Sequence, residues 1–523
     1  MTKRIILLLA FLEGGLVMLL ELVIPHVLSP VLGSSMETWA KLILLSVGGL
    51  AIGYFLGGFL SKKKVLPNLF TLLVIAFASS LVAFIIIWLS NQQEIFSNEV
   101  ISAYLIAFTG LFLPSICLAS TTPLLIQEMS ERSNSTGLLF SNSTWGGILF
   151  TILTGFAIIP NFGLVKSLQL FLLLISVMIL LVTWKSDQNV RKTISYAIFL
   201  IAFLILIFGS STPEANDLEV LQMKEGLNGQ LLAVEKKVND TINERTLFIN
   251  RMGQTWIRVI NGNSVASVWS YPVIIKSLAS YHGKTPSSAL VLGLGGGIVP
   301  LFLADKSQLN YTIDAVELDK DIVNIAQEYF FLTDAVNVIE DDARRYLNSN
   351  KQKYDLIVMD IFNGEIAPSH VLSLEALQEI KRALSPNGFV VINFNGHITG
   401  EAGISARSLW KTLLASGFQV NLLPTYEKGE RNKNNLFIAS QKQLDFSKFN
   451  LPINYIENNQ LKEYSIKKNL INPKKVNLND AFIISDNYPL MEQLNQTAAR
   501  QWREDYLKNI TLKFRNKGIP LIK

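Results

Sequence analysis

The first 209 residues repeat one pattern, long apolar runs at 5–25, 39–60, 69–89, 102–127, 143–160, 164–184 and 194–209 separated by short polar joints. Most approach the ~20 residues a helix needs to cross a bilayer core, so the pattern predicts about seven spanning helices. From about 217 to 260 the period shortens to two, in LLAVEKKV (231–238), RTLFIN (245–250) and TWIRVI (255–260), with Asn- and Gly-bearing turns between them. These are the hairpins of a small antiparallel domain. After 265, strands and helices alternate, the strands being SALVLGLG (288–295), YTIDAVEL (311–318), VNVIED (336–341), YDLIVMD (354–360) and GFVVINF (388–394). That rhythm predicts a parallel, doubly wound sheet. A helix over 404–417 and strands FQVNLL (418–423) and NLFIAS (435–440) then predict an antiparallel edge. The division is 1–209 for the transmembrane helical domain, 215–265 for the small β-hairpin domain, 266–445 for the α/β domain and 446–523 for a polar C-terminal extension containing SDNYPLMEQL.

Charge sharpens the division. Residues 1–209 hold 11 Lys+Arg and 8 Asp+Glu, whereas 210–523 hold 46 − 11 = 35 and 41 − 8 = 33. A net charge of +2 over the soluble part, without a polybasic block, argues against nucleic acid as a partner. One cysteine (Cys117) and four histidines (His26, His282, His370, His397) supply neither a disulfide framework nor a Cys-rich zinc site, so no metal is expected. Lys3, Arg4, Lys62, Lys63, Lys64, Arg132, Lys185, Arg191 and Lys192 fall in joints on one side, and Lys41 and Lys166 on the other. The positive-inside rule makes the lipid bilayer a partner and puts the N-terminus in the cytoplasm. Seven crossings would place the soluble part outside, unless 194–209 is interfacial or re-entrant; both arrangements stay open. Glu13 and Glu21 interrupt the first run and no A-x-A site follows, so it reads as a retained helix rather than a cleaved signal.

Glu13 and Glu21 stand about 80° apart around one helix and can both face the bundle interior. They could hold a cation, or make hydrogen bonds that fix helix packing. Gly48, Gly49, Gly53, Gly57 and Gly58 read as a close-packing face. No inverted repeat with matching broken helices supports a complete secondary transporter.

Four features of the sheet carry chemistry. The first strand ends in Gly293-Leu294-Gly295-Gly296-Gly297, where missing Cβ atoms let a ligand approach the backbone at a helix start. The second ends in Glu317, 317 − 297 = 20 residues on, where a carboxylate can accept both hydroxyls of a ribose. The third ends in Glu340-Asp341-Asp342, an acceptor for an adenine amine or a plain helix cap. The fourth is apolar until Asp360, which delivers an acid to the ligand-binding edge. No P-loop lysine, HExxH pair or nucleophile elbow is present in this half. Acids after three successive strands favour an adenosyl-sulfonium ligand over a dinucleotide.

These stretches, with RTLFINRMGQ (245–254), VELDKDIVNIAQEYF (316–330), EDDARRYL (340–347) and YDLIVMDIFNGEIAP (354–368), resemble the spermidine synthase (polyamine aminopropyltransferase) family. FLEGGLVMLLELVIPHVLSPVLGSS (11–35), GGLAIGYFLGGFL (48–60) and 145–163 are similar to its membrane-fused bacterial members. The resemblance implies a multi-span membrane domain, a small β domain and a Rossmann-like AdoMet-dependent transferase domain in a bacterial cell membrane. It implies decarboxylated S-adenosylmethionine, or S-adenosylmethionine itself, as co-substrate, a polyamine or other amine as acceptor and no metal, and the family's common oligomerisation suggests a homodimer. Gln254, Gly293, Gly295 and Gly297 would contact the nucleoside, Glu317 the ribose and Asp342 the adenine. Asp360 would be the catalytic base, and Tyr271 would orient the amine.

Three positions depart from the soluble enzymes. Gly296 replaces an aspartate of the glycine loop, Asn363 a second aspartate after the catalytic one, and Pro272 the glutamine after the tyrosine; Glu365 is a substitute acid for the amine pocket. Three functions therefore stay open: aminopropyl transfer, methyl transfer from S-adenosylmethionine, and a non-enzymatic polyamine or nucleoside sensor coupled to a membrane carrier built around Glu13 and Glu21.

Overall fold

The computed structural model describes residues 1–33, 35–62, 65–91, 99–129, 135–184, 188–209, 218–226, 229–362, 367–425, 433–449, 453–457, 460–471, 473 and 476–516. Two compact units are built on residues 1–216 and 231–510.

In the first unit the apolar runs form α1 (Lys3–Leu32), α2 (Met36–Leu60), α3 (Val65–Asn91), α4 (Glu99–Ala107), α5 (Leu113–Met129), α6 (Ser135–Leu153), α7 (Ile159–Thr183) and α8 (Asn189–Phe208). A π turn at Phe108–Phe112 joins α4 to α5, and another at Thr154–Ile158 joins α6 to α7. Six continuous helical stretches are long and apolar enough to cross a membrane, one of them the 48 residues Thr136–Thr183. As a single rod that stretch would be about 72 Å long, more than twice a ~30 Å bilayer core. It divides at Gly163, whose φ of 78° and ψ of 176° break the helix. With that division the segments match the seven apolar runs.

Glycines set the closeness of the helices. A Cβ at Gly146 of α6 would overlap the Phe11 carbonyl of α1, and one at Gly14 the Ser143 carbonyl. Gly49, Gly53 and Gly57 press in the same way on Phe112, Ile116 and Ser120, whereas Gly48 and Gly58 face open space. Three of the five glycines read as a packing face thus form it. Glu13 is buried, accepting from Ser143 Oγ at 2.8 Å and from Thr122. Glu21 accepts from Ser46 Oγ. Each acid ties α1 to different neighbours, α5 and α6 for Glu13 and α2 for Glu21, which supports the packing reading of this pair. Among the described residues no three His, Cys, Asp or Glu side chains gather into a metal-binding group.

In the second unit, β1 (Leu218–Gly226), β2 (Gly229–Lys237), β3 (Ile242–Ile249), β4 (Met252–Ile260) and β5 (Ser264–Ser267) form a sheet in chain order. Pairing is antiparallel from β2 onward. α9 (Ser270–Ala279) leads into β6 (Ser287–Leu292), α10 (Ile298–Leu303), β7 (Tyr311–Glu317), α11 (Lys320–Tyr329), β8 (Val336–Glu340), α12 (Ala343–Ser349), β9 (Tyr354–Met359), α13 (Leu374–Ala383), β10 (Leu384–Gly396), α14 (Ile404–Ala415), β11 (Gln419–Pro424) and β12 (Lys433–Ser440). The strand order is β11-β12-β10-β9-β6-β7-β8, with β12 antiparallel to both neighbours, the antiparallel edge expected from the pattern. Apolar side chains alternate between two cores, Val291, Val358 and Val391 on one face and Leu292, Ile357 and Ile392 on the other. A sheet covered on both faces needs such continuous apolar strands.

The residues beyond 446 form β13 (Ile453–Glu457), β14 (Gln460–Tyr464), α15 (Ile466–Asn469) and α16 (Met491–Asn516). Some of their side chains complete the α/β unit's interior. Ile484 and Met491 are fully buried in its core, Asp480 pairs with Arg407, and Asn495 accepts from Ser405 at 2.8 Å.

Candidate active site

Strand register builds the site. Ile392 pairs with Met359, Met359 with Leu292, Leu292 with Val316, and Glu317 with Glu340. One residue past the first four of these, Asn393, Asp360, Gly293 and Glu317 therefore stand in a row at the carboxyl edge of the sheet, where open α/β sheets bind ligands.

Asp360 is half-buried between two uncharged donors. Tyr271 Oη, from the first turn of α9, donates to Oδ2 at 3.0 Å, and Asn393 Nδ2, from β10, donates to Oδ1 at 2.8 Å. Burial pushes the carboxyl above its ordinary range, and the two hydrogen bonds pull part of the way back. Such a group is a carboxylate ready to take a proton. Pro272 sits beside Tyr271 in the first helical turn, where a missing N–H costs nothing.

The glycine loop has positive φ at Gly293 (86°), Gly295 (52°) and Gly297 (76°). Glu317 lies beneath it, Oε2 accepting from Leu294 N at 2.9 Å and Oε1 from Asp319 N at 3.0 Å. Burial raises its pKa, against the pull of these amides. The Leu318 amide is a third backbone donor to it, and a carboxylate with about four acceptor positions can hold the loop and still receive a hydroxyl. Gln254 lies against the loop from β4, and the next residue, Thr255, accepts from Gly296 N at 2.7 Å. A Cβ at Gly296 would lie 2.8 Å from Thr255 Cγ2 and 3.0 Å from Phe330, so the space an aspartate would need here is filled. Asp342 caps α12, its Oδ1 accepting from Arg345 N at 2.9 Å, and its Oδ2 lies 3.4 Å from His370 Nε2. Asn363 and Glu365 fall outside the described residues.

Sequence reasoning missed Asn393 and Thr255. Each is one polar residue in a strand with no motif spacing to mark it. For Asn393 a signal existed in hindsight, an amide interrupting the apolar run FVVINF at the height where the neighbouring strand ends in an acid.

The profile of the spermine/spermidine synthase domain matches residues 270–432. The chain carries a spermine/spermidine synthase domain. Over 129 residues it is 38% identical to the polyamine aminopropyltransferase of Vibrio vulnificus (strain CMCP6), an alignment covering 24% of this chain and 43% of that protein. The chain thus spans less than half the length of that relative. A polyamine aminopropyltransferase of Oceanobacillus iheyensis is 23% identical over 393 residues, 70% of this chain and 72% of its own length. That alignment is longer than the 523 − 209 = 314 residues of the soluble part, so it extends into the helical half. The N-terminal histidine N-methyltransferase of Emericella nidulans is 30% identical over 172 residues, covering 31% of this chain and 28% of that protein. The synthase domain includes α9 with Tyr271, the glycine loop, Glu317, Asp342, Asp360 and Asn393.

Proposed function

We propose that this protein is a membrane-bound polyamine aminopropyltransferase that moves the aminopropyl group of decarboxylated S-adenosylmethionine to an amine, with Asp360 as base. The observation that carries the reading is the half-buried Asp360 carboxylate, held by Tyr271 and Asn393 one strand from the glycine loop of a synthase domain. An alkylammonium must lose a proton before it can attack. Asp360 accepts that proton and balances the charge of the amine. Holding amine and sulfonium together in one pocket supplies much of the remaining acceleration. Gln254 and the loop would hold the nucleoside, Glu317 the ribose and Asp342 the adenine amine. The long apolar helices support membrane integration, with the basic joints and N-terminus cytoplasmic. Detergent-solubilised full-length protein given decarboxylated S-adenosylmethionine with putrescine, spermidine or agmatine should yield methylthioadenosine and the aminopropylated amine. The reading fails if wild type forms no such product or if Asp360→Asn retains wild-type turnover.

A second reading, methyl transfer from S-adenosylmethionine, is favoured by the histidine methyltransferase among the relatives and by Gly296 and Pro272 in place of the family's polar residues. Preferential binding of S-adenosylmethionine over its decarboxylated form would select it.

A further inference from the structure

We propose that Asn393 is a substrate-positioning residue with two contacts, its Nδ2 on Asp360 and its Oδ1 on an N–H of the primary ammonium group of the incoming amine. The inference rests on the aminopropyl-transfer reading and names a residue that recognises the nucleophile. Asn393 is 3% exposed and interrupts the apolar run Phe389–Phe394. A buried amide is costly unless its donors and acceptor are satisfied. The Nδ2 bond to Asp360 at 2.8 Å meets half of that need. Oδ1 is buried with no hydrogen-bond partner among the described residues. The amide orientation follows from the network, since a carboxylate only accepts and must face the NH2 end. An orphan acceptor therefore stands beside the proposed base, on the adjacent strand and at the same height.

An ammonium entering there places one N–H on Asp360 and another on Asn393 Oδ1. Its proton passes to Asp360, and the freed lone pair forms the N–C bond to the carbon next to sulfur. The C–S bond breaks with its pair going to sulfur, which leaves as a neutral thioether, and Asp360 later returns its proton to solvent. The N–H on Asn393 keeps the lone pair aimed at carbon throughout. A carboxylate at 393 would instead compete with Asp360 for a proton, as paired acids do.

The test uses full-length protein with putrescine, spermidine and agmatine as probes, comparing wild type with Asn393→Leu and with the smaller Asn393→Ser in case leucine disturbs folding. Loss of a hydrogen bond to a charged group should raise the amine KM about tenfold, lower kcat, and leave the KM for decarboxylated S-adenosylmethionine unchanged. Removing the donor to Asp360 should also move the acidic limb of kcat/KM to higher pH. Unchanged amine KM and acidic limb in a variant that melts like wild type would overturn the proposal. Calorimetric titration with each amine alone separates this proposal from the wider reading. Wild type that binds an amine but transfers nothing, with affinity lost in Asn393→Leu, would retire the aminopropyl-transfer reading and keep the amine contact. Wild type that binds none of the three would retire the contact itself.

Discussion

Gly293 and Asp360 occupy space that one additional carbon would overfill. A Cβ at Gly293 would overlap the Asp360 carbonyl oxygen and lie 2.7 Å from its carbon and 3.1 Å from Ile361 Cα. The close approach aligns the start of the glycine loop with the end of β9, where Asp360 N donates to Leu292 O at 2.8 Å. Gly293→Ala should therefore cost at least about 3 kcal/mol, combining positive-φ strain with backbone collision. It should also depress turnover by displacing Asp360. Gly262→Ala is the control, since Gly262 has a φ of 78° but nothing within 4 Å of an added methyl, and should cost only about 1 kcal/mol. Thermal melting and turnover of the two variants check the difference.

Asp360→Asn should reduce turnover at least about a hundredfold while making the protein more heat-resistant at pH 8. The folded carboxyl titrates above its unfolded value because it is buried. Its stability contribution is therefore fully present below the ordinary carboxylate range and is lost as pH rises through the folded value. The melting-temperature advantage of the variant should be largest at pH 8 and vanish towards pH 4. A gain that grew on acidification would contradict the sign.

Arg344 bridges α12, α13 and the 480s segment, donating to Glu379 Oε1 at 2.9 Å, Asp486 Oδ2 at 3.0 Å and the His370 carbonyl at 2.6 Å. Glu379 is buried, so Arg344→Met should destabilise by about 3 kcal/mol through an uncompensated charge. The double variant Arg344→Met with Glu379→Leu should recover part of that loss. Denaturant titration of the two variants measures the recovery.

In the first unit, Gly53→Leu should prevent α2 from seating, because even a Cβ there overlaps the Ile116 carbonyl; Gly58→Leu meets open space and should be tolerated. Yield of monodisperse protein in detergent reads the outcome.

Much of this architecture was legible because period and polarity coincide. The predicted strand YDLIVMD differs from β9 by one residue, and Asp360 stood out as an acid ending a run of Leu356, Ile357, Val358 and Met359. The region beyond 446 was not legible. Its burial depends on scattered residues such as Ile484 and Met491 within polar text, without a repeat to mark a face. Asn393 was hidden for a different reason. Its role comes from strand register, and register pairs residues 33 positions apart in the chain.

The clasp of Arg344 by Asp486 has a consequence for biosynthesis. The partners are 142 residues apart, which at the ribosome's pace is roughly 7–30 s of translation. From the synthesis of Glu379 until Asp486 follows, the nascent chain carries the Arg344–Glu379 pair without the aspartate that completes their network, long after the helices of the first unit have left the tunnel. Closure of the α/β unit is thus a late event in the life of each new molecule, and a messenger interrupted before codon 486 yields an unsealed fold, a ready substrate for quality-control proteases.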